Sequence, residues 1–219
     1  MKDKYLSIIT NFGCHYKCPY CIVKKNNLKI PSTTVEGLNN LKKEFDKNKC
    51  NIISISGGGD PLFNWYKHTD WYDKLFSICG ESNIPIEMHT SYTTSSLNAL
   101  YFHLEKFYRV VYHLNSITQL REIYRRGNEI VRVVFVVTEE FTENDILEIS
   151  DYVEESSEID ELSFRQLVDE NYETKFYLHQ FLQKEHKIKW YYIQQNDYNL
   201  YYCENKIYTT YKNLGEGAE

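Results

Sequence analysis

The eight residues Ile130–Val137, IVRVVFVV, constrain the fold more than any other stretch. A run this apolar has no wet side, which suits a parallel strand covered on both faces. It belongs to a rhythm in which short β-branched runs alternate with segments of helical period, the mark of repeated βα units. Residues 5–10, 51–56, 85–89, 109–113, 130–137 and 159–165 read as six strands, with 130–137 central. Residues 34–47, 69–79, 97–105, 117–126, 142–154 and 175–186 read as the helices that follow them. Thr142 is placed to cap the fifth helix, with Asp145 adding charge in its first turn but no Glu or Gln to complete a capping box.

Beyond residue 189 aromatic and polar residues alternate to Tyr211, which predicts one or two terminal strands with a turn at Glu204-Asn205-Lys206. Residues 215–219 carry no apolar anchor and are expected to fray. The reading is an α/β core over residues 1–188 with a short strand-rich extension, 189–219, of the same domain. Six βα units are too few for a closed eight-stranded barrel, leaving a partial barrel or a doubly wound open sheet. Both place ligands at the carboxyl ends of the strands. There lie a cysteine loop after strand one, Gly57-Gly58-Gly59-Asp60-Pro61 after strand two and His89-Thr90-Ser91 after strand three.

Composition excludes several classes. No stretch reaches the roughly 18 consecutive apolar residues of a membrane span, and Met1-Lys2-Asp3-Lys4 leads into no signal-peptide core. A net charge of −6 and a pI near 5.7 argue against nucleic acid held through its phosphates. The six cysteines lack the spacing of a disulfide framework, which points to a reducing cytoplasm.

Cys14, Cys18 and Cys21 stand in a Cys-x3-Cys-x2-Cys loop. A structural zinc wants a fourth ligand nearby, and His15 is badly placed for it. Cys18-Pro19-Tyr20-Cys21 matches the glutaredoxin tetrapeptide, but too little βαβ structure separates it from the glycine turn. Three thiolates on an iron–sulfur cubane fit best, because they leave one iron open for catalysis.

Here the chain resembles the radical S-adenosylmethionine (SAM) superfamily, whose hallmark is Cys-x3-Cys-x-Φ-Cys with Φ aromatic. Cys14, Cys18, Tyr20 and Cys21 match position for position. The family's second mark, Gly-Gly-Glu-Pro after strand two, appears with one extra glycine and Asp60 for Glu. The resemblance implies a partial (β/α)6 TIM-like barrel with the C-terminal strand extension, a compact single-cluster member without an auxiliary-cluster domain. It implies that the three thiolates hold a 4Fe-4S cluster and that Tyr20 lies near the adenine. Gly57, Gly58, Gly59 and Asp60 are then expected to meet the methionyl amino group, so a side chain at Gly58 should weaken SAM binding while sparing iron. Thr90 and Ser91 take the place of a polar stretch near SAM. Asn115 takes that of a ribose-binding residue, or else caps the next helix. Strand five offers the adenine an apolar wall, and Arg165 or Gln166 reaches the SAM carboxylate or the substrate, unless Arg165 makes only a surface salt bridge.

The implied chemistry is reductive cleavage of SAM to a 5′-deoxyadenosyl radical that takes a hydrogen atom from substrate, fed by an electron donor such as flavodoxin or ferredoxin. The catalytic contact to substrate is not assigned. A small-molecule or nucleotide-like substrate is expected first. The alternatives are a ribosomal peptide or a glycyl-radical partner protein and, from another class, a non-catalytic metal or thiol-redox protein. The tail after Lys189 is expected to line the open side of the barrel, so that deleting 189–219, provided the core still folds, leaves the cluster and basal SAM cleavage intact but abolishes substrate modification.

Overall fold

The computed structural model describes residues 4–98, 102–184, 189–193 and 200–215. Its strands are β1 (Tyr5–Ile9), β2 (Ile52–Ser56), β3 (Ile86–Thr90), β4 (Arg109–Leu114), β5 (Ile130–Val137), β6 (Glu161–Val168), β7 (Thr174–Lys175), β8 (Trp190–Ile193), β9 (Tyr201–Cys203) and β10 (Lys206–Tyr208). Its helices are α1 (Ile22–Lys25), α2 (Leu41–Lys47), α3 (Thr69–Gly80), α4 (Thr94–Asn98), α5 (Ile117–Leu120), α6 (Glu143–Glu155) and α7 (His179–Lys184). No helix among the described residues is long and apolar enough to cross a membrane. The backbone gathers into two compact units, Met1–His89 with Asn196–Glu219, and Thr90–Gln195.

In the first unit β1, β2 and β3 run parallel in chain order. Strand alternation divides their side chains between two faces. Leu6, Ile53 and Ile86 stand in one register row and Ile8, Ile55 and Met88 in the next, all buried. Each such side chain contributes about 1.5 to 3 kcal/mol when fully removed from water. The opposite face is polar: Ser7, Ser54 and Glu87 form one row, and Ser56 sits one step nearer the carboxyl end. Glu87 accepts hydrogen bonds from Ser54 Oγ at 3.1 Å and pairs with His89 Nε2 at 2.7 Å.

The outer edge of β1 is taken by the end of the chain. β9 pairs with it in parallel, Ser7 opposite Tyr201 and Ile8 opposite Tyr202, and β10 returns antiparallel. The expected turn is a two-residue hairpin with Glu204 at φ 44° and Asn205 at φ 63°, both left-handed as a type I′ turn requires. That turn reshapes the helix expected over 34–47. Asn205 donates from its backbone to Gly37 O and from its side chain to Glu36 O, and its Oδ1 accepts from Asn40 N–H. Backbone groups engaged in this way leave a 3₁₀ turn at Glu36–Leu38 and a shorter α2.

The second unit holds β4, β5 and β6, parallel and in chain order. β5 is paired on both sides, and Val131, Val133, Phe135 and Val137 are fully buried, as its composition predicts. Beyond β6 lie β8, parallel to it, and the short antiparallel β7. Arg132, the charge inside the apolar run, and Arg109 both reach Glu161 Oε2, at 2.6 and 3.2 Å.

Three helix expectations change here. The helix over 117–126 stops at Leu120, because later backbone groups find tertiary partners: Tyr124 N–H donates to Thr94 Oγ1 and Arg125 N–H to Glu158 Oε2. The segment 97–105 is α4 followed by a 3₁₀ turn at Leu104–Lys106, and residues 99–101 lie outside the described residues. The sixth helix begins at His179, after β7, and its expected end at 186 lies outside them too, as do residues 216–219 of the expected frayed end. α6 corrects the capping reading. Thr142 Oγ1 accepts from Asp145 N–H while Asp145 Oδ2 accepts from Thr142 N–H, so Asp completes the box without Glu or Gln.

Candidate cofactor site

The loop after β1 and the turn after β2 are fastened to each other through backbone. Asp60 N–H donates to Gly13 O at 2.8 Å. A Cβ on Gly59 would stand 2.2 Å from Gly13 O, and one on Gly58 only 1.9 Å from Thr10 O. Gly57 and Gly58 also hold left-handed φ of 71° and 72°, which glycine adopts freely. The glycines therefore serve first to let the turn lie against the root of the cysteine loop. This revises the expectation for Gly58: a side chain there would strike the loop that carries the thiols, so iron binding would not be spared.

Within the loop Cys14, Cys18 and Cys21 are free and half-buried. Cys18 O accepts from Cys21 N–H at 3.1 Å, and Cys21 O accepts from Lys25 N–H at 2.9 Å as α1 begins. Cys21 occupies the N-cap position, yet its side chain makes no capping hydrogen bond. Burial raises the Cys14 thiol above its ordinary pKa, and burial followed by the charges of Cys14 and Cys21 raises that of Cys18. A bound cation offsets that penalty by stabilising the thiolate form. Among the described residues no three His, Cys, Asp or Glu side chains close around one ion position. A cubane asks for something else, since each thiolate binds a different iron. The donor set fits that group.

Tyr20 is largely enclosed, and its hydroxyl is hydrogen-bonded to the Cys18 side chain; burial, then that sulfur, push its pKa well up. Lys24 Nζ donates to Tyr16 O at 2.6 Å and braces the loop. Asp60 is almost wholly buried, and its Oδ1 accepts from Leu62 N–H at 2.9 Å, closing the turn on itself. Its Oδ2 stands 4.0 Å from His15 Nδ1. The structure thus brings together Cys14, Cys18, Tyr20, Cys21 and Gly57 to Asp60, all within the first unit.

One neighbour of this site was not legible in the sequence. Tyr211, from the end of the chain, accepts from Gly58 N–H through its hydroxyl at 2.9 Å. Its segment packs with Ile9, Ile30, Cys203 and Leu214. Residues 200–215 are therefore part of the core beside β1, which corrects the expectation that the tail can be removed without touching the cofactor site. The aromatic and polar alternation of the tail and its turn at Glu204-Asn205 pointed to terminal strands, and nothing local marks Tyr211 as a partner of the glycine turn.

The remaining candidates lie in the second unit. Thr90 is buried, and its Oγ1 accepts from Tyr92 N–H at 3.1 Å; Ser91 is half-buried beside it. Ser116, not Asn115, caps α5: its Oγ accepts from Gln119 N–H, while Asn115 N–H donates to Gln119 Oε1 at 2.7 Å. Asn115 and Ser116 open onto a cleft of 280 Å³ with Phe135, Phe141 and Glu140. Phe135, one of the residues lining this cleft, comes from β5. Arg165 lies in register with Val136 and Ile193. The Gln166 side chain donates to Tyr177 O at 2.8 Å and accepts from Tyr177 N–H at 2.9 Å.

Two crystal structures of Streptococcus suis SuiB share the fold. The one bound to precursor peptide SuiA is 16% identical with a TM-score of 0.58, covering 89% of this chain and 50% of that one. The one bound to S-adenosylmethionine is 17% identical with a TM-score of 0.55, covering 88% of this chain and 48% of that one. The chain thus spans about half the length of these structures and has the α/β partial-barrel fold they represent. No curated protein matches the sequence. The family model of the Radical SAM superfamily matches residues 8–133, more than half of the chain and inclusive of both the cysteine loop and the glycine turn. The chain therefore belongs to the radical SAM superfamily, whose cofactors are a 4Fe-4S cluster and S-adenosylmethionine.

Proposed function

We propose that this chain is an enzyme that holds a 4Fe-4S cluster on Cys14, Cys18 and Cys21, binds SAM against the turn from Gly57 to Asp60, and acts on a small polar or nucleotide-like molecule. Bound there, the cofactors supply reductive cleavage of SAM to methionine and a 5′-deoxyadenosyl radical able to remove a substrate hydrogen atom. The chain's own part is to bind, orient and exclude water. The observation that carries this reading is the fastening of the glycine turn to the cysteine loop by Asp60 N–H and Gly13 O. It ties the turn to the root of the cysteine loop, which supports a cofactor shared between them.

For Thr90, Ser91, Asn115 and Arg165, all in the second unit, the likeness to the superfamily's motifs supports contacts to SAM or substrate. Asn115 beside Phe135 offers hydrogen bonding next to an aromatic face, which suits a nucleoside. A small polar substrate is favoured by the polar face of the first unit's strands, where Ser56 and His89, with Glu87 behind it, stand near the carboxyl ends. A second reading, modification of a peptide, draws on the SuiB structure with its precursor peptide. Membership of the superfamily supports an enzyme over the non-catalytic metal or thiol-redox alternative. A flavodoxin- or ferredoxin-like protein is the proposed electron donor.

The test is anaerobic reconstitution, which should give about four irons and four sulfides per chain. Reduction in the presence of SAM should then release methionine and 5′-deoxyadenosine in equal amounts. Cys14→Ala, Cys18→Ala and Cys21→Ala should each lose the cluster, whereas Cys50→Ala and Cys79→Ala keep it. A full cluster in the three loop variants would overturn the proposal. Transfer of deuterium from labelled nucleotides or from labelled peptides into 5′-deoxyadenosine separates the two substrate readings.

A further inference from the structure

The turn from Gly57 to Gly59 has no side chains with which to set its own geometry, and two of its residues sit at left-handed φ. Glycine backbone loses the most conformational freedom on ordering, so such a turn holds one shape only where other groups impose it. Thr10 O and Gly13 O limit it on one side. On the other stands Tyr211, 153 residues along the chain, whose hydroxyl lies 2.9 Å from Gly58 N. A Cβ on Gly57 would meet Ile9 Cδ1 at 2.9 Å and Tyr211 Oη at 3.2 Å, so the phenol lies along the turn and does not merely touch one end of it.

The phenol is itself held in place. Its ring meets Tyr201 edge-on, with centroids 5.6 Å apart, and Leu214 N–H donates to Tyr211 O at 3.2 Å. The hairpin before it is anchored through Glu204, which accepts from both the N–H and the hydroxyl of Thr34. A rigid support that reaches across the chain to hold one peptide N–H is the arrangement by which a surrounding shell fixes a binding element.

We infer that Tyr211 is a positioning residue for SAM: its hydroxyl fixes the Gly58 peptide, and with it the groups of the turn that meet the methionyl end of the cofactor. The inference rests on the proposed placement of SAM at this turn. It makes the C-terminal segment a part of the cofactor site, where the sequence pointed only to a substrate wall.

The test compares Tyr211→Phe with Tyr208→Phe in the anaerobically reconstituted full chain. Tyr208 packs in the same aromatic cluster and loses the same hydroxyl without that contact. Iron content, thermal midpoint, SAM affinity by equilibrium dialysis and the kinetics of 5′-deoxyadenosine release are measured for each. Tyr211→Phe should keep its iron and its kcat at saturating SAM while KM and Kd for SAM rise roughly three- to tenfold, the equivalent of one net hydrogen bond. Tyr208→Phe should match the wild type. Unchanged SAM affinity in Tyr211→Phe overturns the inference, as does an equal loss in both variants or a loss of iron alongside affinity in Tyr211→Phe. Failure of the wild-type protein, with its cluster intact, to bind SAM would instead overturn the placement of the cofactor.

Discussion

Replacing Gly58 by alanine tests the fastening of the two loops directly. The added methyl carbon would lie 1.9 Å from Thr10 O and 3.0 Å from Thr10 C. Neither atom is the end of a flexible side chain, so the backbone itself must give way by more than an ångström. The substitution also forces an L-residue to hold φ near 72°. The conformational penalty is about 1 to 2 kcal/mol, and overpacking against a fixed neighbour adds about 1 to 3 kcal/mol. The expected destabilisation is therefore about 2 to 5 kcal/mol, and the displaced atoms are those from which the cysteine loop departs. Iron content should fall together with stability. Gly80 supplies the control: it ends α3 in ordinary helical backbone with nothing within 4 Å of an added Cβ, so Gly80→Ala should be neutral or slightly stabilising. Both variants are assayed for iron after anaerobic reconstitution and for thermal unfolding of the apoprotein. Gly58→Ala should lower the midpoint by at least about 4 °C. A Gly58→Ala protein with wild-type midpoint and full iron would refute the reasoning.

Deleting residues 200–219 should uncover Ile9 and Ile30 and leave β1 as an open edge, giving a protein that aggregates or fails to take up iron; a soluble, iron-replete truncation would contradict the packing around Cys203 and Leu214. Glu87→Ala, which removes the buried carboxyl group that meets both Ser54 Oγ and His89 Nε2, should cost more in urea unfolding than Ser54→Ala, for which under about 1.5 kcal/mol is expected, so equal losses would argue against a buried pair. Thr142→Ala should cost about 1 kcal/mol at neutral pH. Hydrogen bonds from Thr142 hold the Asp145 carboxyl below its ordinary pKa of 3.8, so the carboxylate half of the box contributes above that pH and is lost as pH falls through the lowered value, while the Asp145 N–H bond to Thr142 Oγ1 remains. A Thr142→Ala deficit that persists unchanged at pH 2 would count against this account.

What the sequence determined by itself was whatever depends on local order: strand alternation, helical period and the spacing of the thiols. IVRVVFVV specified a strand paired on both sides because no alternative hides so much apolar surface in eight residues. Cys14, Cys18 and Cys21 lie within eight residues of one another, so a single loop carries all three whatever the rest of the chain does. The glycine turn was visible too, but its reason was not: the close approach of Thr10 O and Gly13 O exists only once β1 and β2 are side by side. Helix lengths failed where backbone groups found distant partners, as at Gly37 and Asn40, which meet Asn205. The tertiary structure alone decided that the end of the chain returns to β1 and sets Tyr211 on Gly58 N–H. Which strand pairs with which leaves no local trace, because the hydrogen bonds of the sheet join residues that only folding makes neighbours.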